Sequence, residues 1–272
     1  MANDGSYVSP SVTMDDSVTI GRNAVLDGEI HLGRNVVIGP GAVISGQYTI
    51  GDHTIVGPYS VLSGAGMIGH NNEIGSHCTI GAAAQHIMKP VSDGQIIVGN
   101  HNVIREYTTV HQPFETSQTR IGDQCYVMAY CHIAHDCTVQ DNVIMANQAT
   151  LGGHTLVYSY ANLGLGVLIH QYCQLGAYSM VSMGSVILRD VLPFTMVVNQ
   201  RVQKLNFIGL ERRGISQADI EGINLLYHRF RPMAPGDESS WYGKIISEFC
   251  RNSIRGYYYP DADWKHYRST SE

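Results

Sequence analysis

No stretch of the chain holds the ~18 consecutive apolar residues that a membrane-crossing helix needs, and Met1-Ala2-Asn3-Asp4-Gly5-Ser6 has nothing of a secretory leader. A soluble, cytoplasmic protein without an integral membrane segment is expected. Cysteine is scarce, six in 272 residues, and no C-x-x-C or C-x-x-H spacing occurs. Neither a structural metal nor a disulfide framework is therefore expected. An excess of positive charge is missing as well: the formal net charge is −6. No basic stripe interleaves with aromatics, which argues against a nucleic-acid partner. The basic residues that exist lie late. Twelve of the 17 Lys and Arg stand at or beyond Arg189, among them Arg201, Lys204, Arg212, Arg213, Arg229 and Arg231. Such a cluster on an acidic body fits a local site for an anionic ligand or an acidic protein.

What the chain does have is a period of six. An aliphatic residue returns at Val8, Met14, Ile20, Leu26, Leu32, Ile38, Ile44, Ile50, Val56, Leu62, Ile68, Ile74 and Ile80, and the series restarts at Ile121 and runs to Ile187. Six matches neither the 3.6-residue helix nor the two-residue strand, so it describes a repeating unit whose turns return one residue per unit to a shared interior. Four residues past the aliphatic there is usually a small or β-branched side chain, as in Ala42, Ala149, Ala161 and Ser179. Each unit thus has one large and one small inward position. Three units per coil give a triangular prism of parallel strands, a parallel β-helix of roughly ten coils and about 50 Å. Cys78, Cys125, Cys131, Cys137 and Cys173 all fall at the small position, where a thiol packs as a small hydrophobe.

Two stretches break the period. Residues 82–97 lack it and are expected to form a loop, although Ile80 to Val98 is still one coil's length, and His111 to about residue 120 reads as an ejected loop. Loops leaving a rigid scaffold are where binding residues collect. After Asp190-Val191-Leu192-Pro193 the character changes. From Asn206 the pattern turns helical, with a capping-box-like Ser216-x-x-Asp219 followed by Ile220, Ile223, Tyr227 and Phe230 up to Pro232. A second helix is expected from about Ser239 to Arg255, with Trp241, Ile245 and Phe249 on one face. The organisation expected is a β-helix over 1–204 and a small helical domain over 205–272.

Chemistry has to come from outward polar residues. The densest group is Cys131-His132-Ile133-Ala134-His135-Asp136-Cys137, joined by Gly152-Gly153-His154 and His170-Gln171. Ile133 and Cys137 point inward, which leaves His135 and Asp136 at the outer turn. His154 is about one coil further on, and His170 roughly one more. Three histidines down one edge could act on one bound molecule.

The prism together with His-Ile-Ala-His-Asp at 132–136, Gly-Gly-His at 152–154, His-Gln at 170–171, Ile-Arg-Glu at 104–106 and Gly-Leu-Glu-Arg-Arg-Gly at 209–214 resembles the acyl-carrier-protein-dependent UDP-N-acetylglucosamine O-acyltransferases of lipid A biosynthesis. The resemblance spans essentially the whole chain. It implies a mainly β fold, a left-handed parallel β-helix with a C-terminal helical domain, and a homotrimer with sites between subunits. It implies transfer of a 3-hydroxy fatty acyl group from acyl carrier protein to UDP-N-acetylglucosamine or a related nucleotide sugar, without metal or other cofactor. On the matching residues, His135 is the general base, Asp136 its orienting partner and Gly153 the backbone oxyanion donor. His132, His154, His170 and Gln171 contact sugar and nucleotide, Asn206, Arg212 and Arg213 the nucleotide and phosphate end, and Met183 limits acyl length. The family's acidic and basic sugar contacts fall here on His86 and Met88, with Lys89 one residue late. A sugar N-acyltransferase is the runner-up, although its 3-acyl-glucosamine members usually carry an extra N-terminal domain. A zinc hydratase on the same prism would need a different histidine spacing.

Overall fold

The computed structural model describes residues 5–90, 93–229 and 238–259. The period of six closes into a prism because three units return the chain to its own column. His132–Ile133 pairs in parallel with Thr150–Leu151, that with Leu168–Ile169, and that with Val186–Ile187, each eighteen residues on. Ten such levels stack on the first face, from Tyr7–Val8 to Val186–Ile187. The second face carries Thr138–Val139, Leu156–Val157 and Gln174–Leu175, the third Ile144–Met145, Asn162–Leu163 and Met180–Val181.

Strand pairs alternate out and in, so Ile133, Val139, Met145 and Leu151 are fully buried and form one column per face. The small inward positions follow as expected. The thiols of Cys125, Cys131 and Cys137 lie 3.0, 3.1 and 3.2 Å from the carbonyl oxygens of Gln140, Ala146 and Gly152, and burial pushes each thiol up, to about 11, 11 and 12. Asn72 and Asn102 occupy the same kind of position, their amides donating to the Gly99 and Gly122 carbonyls. The first coil departs from the pattern: Val8 and Met14 are 36% and 39% exposed. As the terminal coil it has a neighbouring layer on one side only among the described residues.

The edge between first and second faces changes along the prism. In the early coils there is no turn at all, and Val25–Leu32, Val43–Ile50 and Val61–Ile68 run across it as continuous strands in register. Gly28, Gly46 and Gly64 meet at the crossing, with φ of 134°, 103° and 81°. A Cβ on Gly46 would collide with the Gly64 carbonyl oxygen. From the fifth coil the same edge ejects two loops. Thr79–Ala82 lies on the first face and Gln95–Val98 on the second, so the intervening residues leave the edge without circling the prism. The eighteen residues from Ile80 to Val98 match one coil in length only: Ile80 is in register with Val110, a thirty-residue coil. One level on, the second loop leaves between Thr109–His111 and Gln118–Ile121.

The last coil closes with an antiparallel pair, Thr195–Val198 with Arg201–Leu205, and three helices follow: α1, Phe207–Arg212; α2, Gln217–Arg229; α3, Trp241–Asn252. Ser216 caps α2 by accepting the Asp219 N–H at 3.1 Å and donating to its carboxylate at 2.8 Å. Ile220, Ile223 and Tyr227 are buried; Phe230 and Pro232 lie outside the described residues. α3 starts after Ser240, whose hydroxyl accepts the Gly243 N–H. It ends at Asn252 instead of Arg255, since the chain then turns to bind the prism, Ser253 donating to Asp190 at 2.6 Å. Its buried face centres on Ile246 and Phe249, with Trp241 39% exposed at the rim. Among the described residues no helix is long and apolar enough to cross a membrane.

Candidate active site

The edge that begins as glycine-lined strands becomes, in the middle coils, a series of turns whose side chains stack. Asp136, His154 and Tyr172 hold the same turn position at φ of 60°, 60° and 64°. Backbone bonds lock them in register, the His154 N–H to the His135 carbonyl at 3.0 Å and the Tyr172 N–H to the Gly153 carbonyl at 2.9 Å. The rings of His154 and Tyr172 stack at 4.4 Å with 7° between planes.

His135, Gly153 and Gln171 hold the preceding position. His135 lies over Gly153, and a Cβ there would sit 2.6 Å from its Cε1 and 2.8 Å from its Nε2. Gly153 is therefore required for the space it leaves to the imidazole, and its φ is not positive. Among the described residues its N–H meets no hydrogen-bond acceptor. It remains available to a developing oxyanion beside the histidine.

Asp136 is the hub. Its Oδ2 lies 2.7 Å from His135 Nδ1. The same carboxylate accepts the N–H groups of Phe114, Glu115 and Thr116 at 3.0, 3.1 and 2.7 Å and the Thr116 hydroxyl at 2.6 Å. Burial pushes this carboxyl up, but the donors from Thr116, His135 and Phe114 outweigh it and hold it at about 2. An ionised carboxylate can only accept, so the proton sits on His135 Nδ1 and Nε2 keeps its lone pair. His135 and Asp136 were expected at an outer turn; they do point outward, yet are only 8% and 7% exposed. The ejected loops cover them, Phe114 standing 5.7 Å and His86 5.6 Å from the His135 ring.

The other expected residues fall in three places. On this edge, His154 Nε2 is 3.4 Å from Asp136 Oδ2 and 3.6 Å from Glu115 Oε2. Gln171 and His170 are exposed beside it. His170 is not the third ring of the stack, a place Tyr172 holds, because His170 stands two positions earlier in its coil. His132 faces out from the first face, its Nδ1 2.8 Å from the Thr109 hydroxyl and its ring 5.2 Å from that of His111; burial, with His111 and His135 nearby, pushes it down to about 4. On the second edge, between second and third faces, Asn206 caps α1 and donates to the Tyr178 carbonyl at 2.9 Å. Arg213 lies 5.0 Å over the Tyr160 ring, with Arg212 exposed next to it. Met183 is on the third edge and 71% exposed, which rules out core filling. In the loop after Ala82, His86 reaches the site, stacked on Phe114 at 3.9 Å and accepting the Met88 N–H at 3.1 Å, while Met88 is 62% exposed.

His135, Asp136 and His154 offer ligand atoms within 4.8 Å of one another. Both Asp136 oxygens are already engaged by N–H and O–H donors, the pattern of a proton-handling pair held in place and not of a metal cage. Sequence reading missed Phe114, Thr116 and Tyr172. The eighteen-residue spacing of 136, 154 and 172 would have found the last.

Comparison with known proteins gives a consistent result. A family model described as "Bacterial transferase hexapeptide (six repeats)" matches residues 29–64 and 118–153. Another, "Udp N-acetylglucosamine O-acyltransferase; Domain 2", matches residues 190–234. The acyl-[acyl-carrier-protein]--UDP-N-acetylglucosamine O-acyltransferase of Nautilia profundicola is 35% identical over 194 residues, 66% of this chain and 75% of that protein. The protein of the same name from Sulfurihydrogenibium is 52% identical over 158 residues, 57% of each. Other curated relatives are matched over less of their length, 64%, 52% and 52% for three of them. Among solved structures, the UDP-N-acetylglucosamine acyltransferase from Campylobacter jejuni superposes with a TM-score of 0.75 at 26% identity, covering 93% of this chain and 99% of that one. With a hexapeptide prism and a relative matched at this identity and coverage, the chain belongs to the UDP-N-acetylglucosamine O-acyltransferase family.

Proposed function

We propose that this protein transfers a 3-hydroxy fatty acyl group from acyl carrier protein to the 3-hydroxyl of UDP-N-acetylglucosamine, the step that opens lipid A synthesis. The observation that carries it is the His135 imidazole with Nδ1 fixed on Asp136, Nε2 free and the unbonded Gly153 N–H beneath it. His135 Nε2 takes the hydroxyl proton as the oxygen attacks the thioester carbonyl. The tetrahedral oxyanion is met by the Gly153 N–H. Collapse breaks the C–S bond, forms the ester, and returns the proton to the departing thiolate. Asp136 stays ionised and favours the imidazolium between these steps.

His135 lies on the first edge, Asn206 and Arg213 on the second and Met183 on the third, so one prism cannot surround a single substrate with all of them. The reading therefore includes a homotrimer that sets the first edge of one copy against its neighbours. The first-face surface that would meet a neighbour turns from His132 and Thr150 to Leu168 and Val186, 48% and 41% exposed. This apolar strip leads from the base toward Met183 and suits an acyl tail. The exposed basic side chains of Arg201, Lys204, Arg212 and Arg213 suit the diphosphate and an acidic carrier protein. Both substrates are cytoplasmic, and the reaction belongs there.

Mass spectrometry of products from a panel of acyl carrier protein thioesters, offered with UDP-N-acetylglucosamine and its 3-amino analogue, tests this. An O-acylated sugar nucleotide is expected. Product with the amine alone would make the protein an N-acyltransferase, and no product with any donor would sink the reading. In the same panel Met183→Gly should move the preferred donor to longer chains without loss of turnover; an unchanged ranking would remove Met183 from length selection.

A further inference from the structure

We propose that Thr116 is a positioning residue of the acyl-transfer site: its hydroxyl latches the loop after His111 onto Asp136 and so fixes the His135 imidazole with Nε2 toward the substrates. The proposal rests on the acyltransferase reading above. Three consecutive amides and one hydroxyl, from Phe114, Glu115 and Thr116, converge on one carboxylate. Asp136 is gripped from the other side too, its own N–H donating to the Thr119 hydroxyl at 2.8 Å. A carboxylate held at that many points cannot swing, and its Oδ2 keeps His135 Nδ1 at 2.7 Å, with His154 Nε2 farther off at 3.4 Å. The Thr116 hydroxyl is the single side-chain donor in this set. It also lies 2.9 Å from the Gln118 carbonyl, but the charged acceptor at 2.6 Å is the stronger partner. The latch has a second product. It seats Phe114 against the His135 and His86 rings and keeps water from the base.

Removing the hydroxyl leaves the carboxylate one donor short. More of its charge then faces the imidazolium, and the protonated form of His135 is favoured. The groups facing His135 are Asp136, the His154 and His86 rings at 5.4 and 5.6 Å, and His132, with Glu115 beyond His154. Of these only Asp136 takes a hydrogen bond from the Thr116 hydroxyl, and Thr116 is exposed and supports no core.

The test compares Thr116→Val and Thr116→Ser in acyl transfer from an acyl carrier protein thioester to UDP-N-acetylglucosamine. Thr116→Val should lower kcat about tenfold with KM for both substrates unchanged, and move the acid limb of the kcat profile to higher pH. Thr116→Ser should restore both. A wild-type kcat and pH limb in Thr116→Val overturns the proposal, and so does a Ser variant as impaired as Val, since that traces the effect to shape. Titration of the His135 ring nitrogens by NMR reads the latch without turnover. If the wild type transfers no acyl group the enzymatic reading fails by itself, whereas an unshifted titration in Thr116→Val sinks the latch alone.

Discussion

The same edge of the prism is built in two ways, and the contrast shows what makes a site. In the early coils the chain crosses it as extended strands, with Gly28, Gly46 and Gly64 packed backbone to backbone. At the crossing itself the glycines carry no side chain, and the flanking Glu29 and Gln47 are exposed and pair with each other at 3.3 Å. In the middle coils the crossing is a turn, each with a residue near φ +60° that lifts a side chain out of the wall: Asp136, His154, Tyr172. Left-handed backbone costs of order 1 kcal/mol per residue, offset here by ring stacking and by hydrogen bonds to the loops. The interior is alike in both regions; the corner residue decides whether the edge is a seam or a site.

The strongest way to break that contrast is to remove the base. His135→Ala should lower turnover by ~10²–10⁴-fold while circular dichroism and thermal unfolding stay close to wild type, because the side chain points away from the core. Near-normal turnover would take His135 out of the mechanism. Gly153→Ala should come next. Its methyl would stand within 2.6 Å of the His135 ring, so the imidazole must shift, with a loss of roughly 10–10² in kcat and little change in substrate affinity. In the seam, Gly46→Ala should act on stability alone. Its left-handed φ of 103° and the blocking Gly64 carbonyl predict a loss of about 1–3 kcal/mol in denaturant unfolding; a drop in kcat at saturating substrate in the folded variant would mean the two regions are coupled.

The smallest effect concerns pH. His132, pushed down by burial from its ordinary 6.5 to about 4, is neutral in the fold while the unfolded chain still takes up a proton. Its share of stability is complete above pH 6.5 and is lost as pH falls from there to 4. Asp136, held at about 2 against an ordinary 3.8, acts lower: its share is complete above 3.8 and is lost toward 2. The denaturant midpoint should therefore fall modestly between pH 6.5 and 4 in the wild type and less in His132→Gln. Identical curves would show that His132 is neutral in the fold for no energetic reason.

The period of six and the large and small inward positions were legible in the sequence because the prism wall is local. A residue points in or out by its place in a six-residue unit, and the core of Ile133, Val139 and Met145 follows without knowledge of any distant contact. The shared edge of His135, Asp136 and His154 was legible for the same reason, since one coil in sequence is one step along the edge; Gly153 was singled out by the family resemblance alone. Tertiary structure decided the rest. The missing period marked a loop near 82–97, but that Ile80 pairs with Val110 thirty residues on was not legible, since Ile80 to Val98 has one coil's length. That loop and the next bring His86, Phe114 and Thr116 onto the base from 49, 21 and 19 residues away, separations no period encodes. Whether Met183 packs inside or faces out depended on which corner it reached. The repeat fixes the wall because its contacts recur at a constant offset; the site needed loops whose lengths obey no such rule, and their hydrogen bonds to one buried carboxylate exist only once the prism has formed.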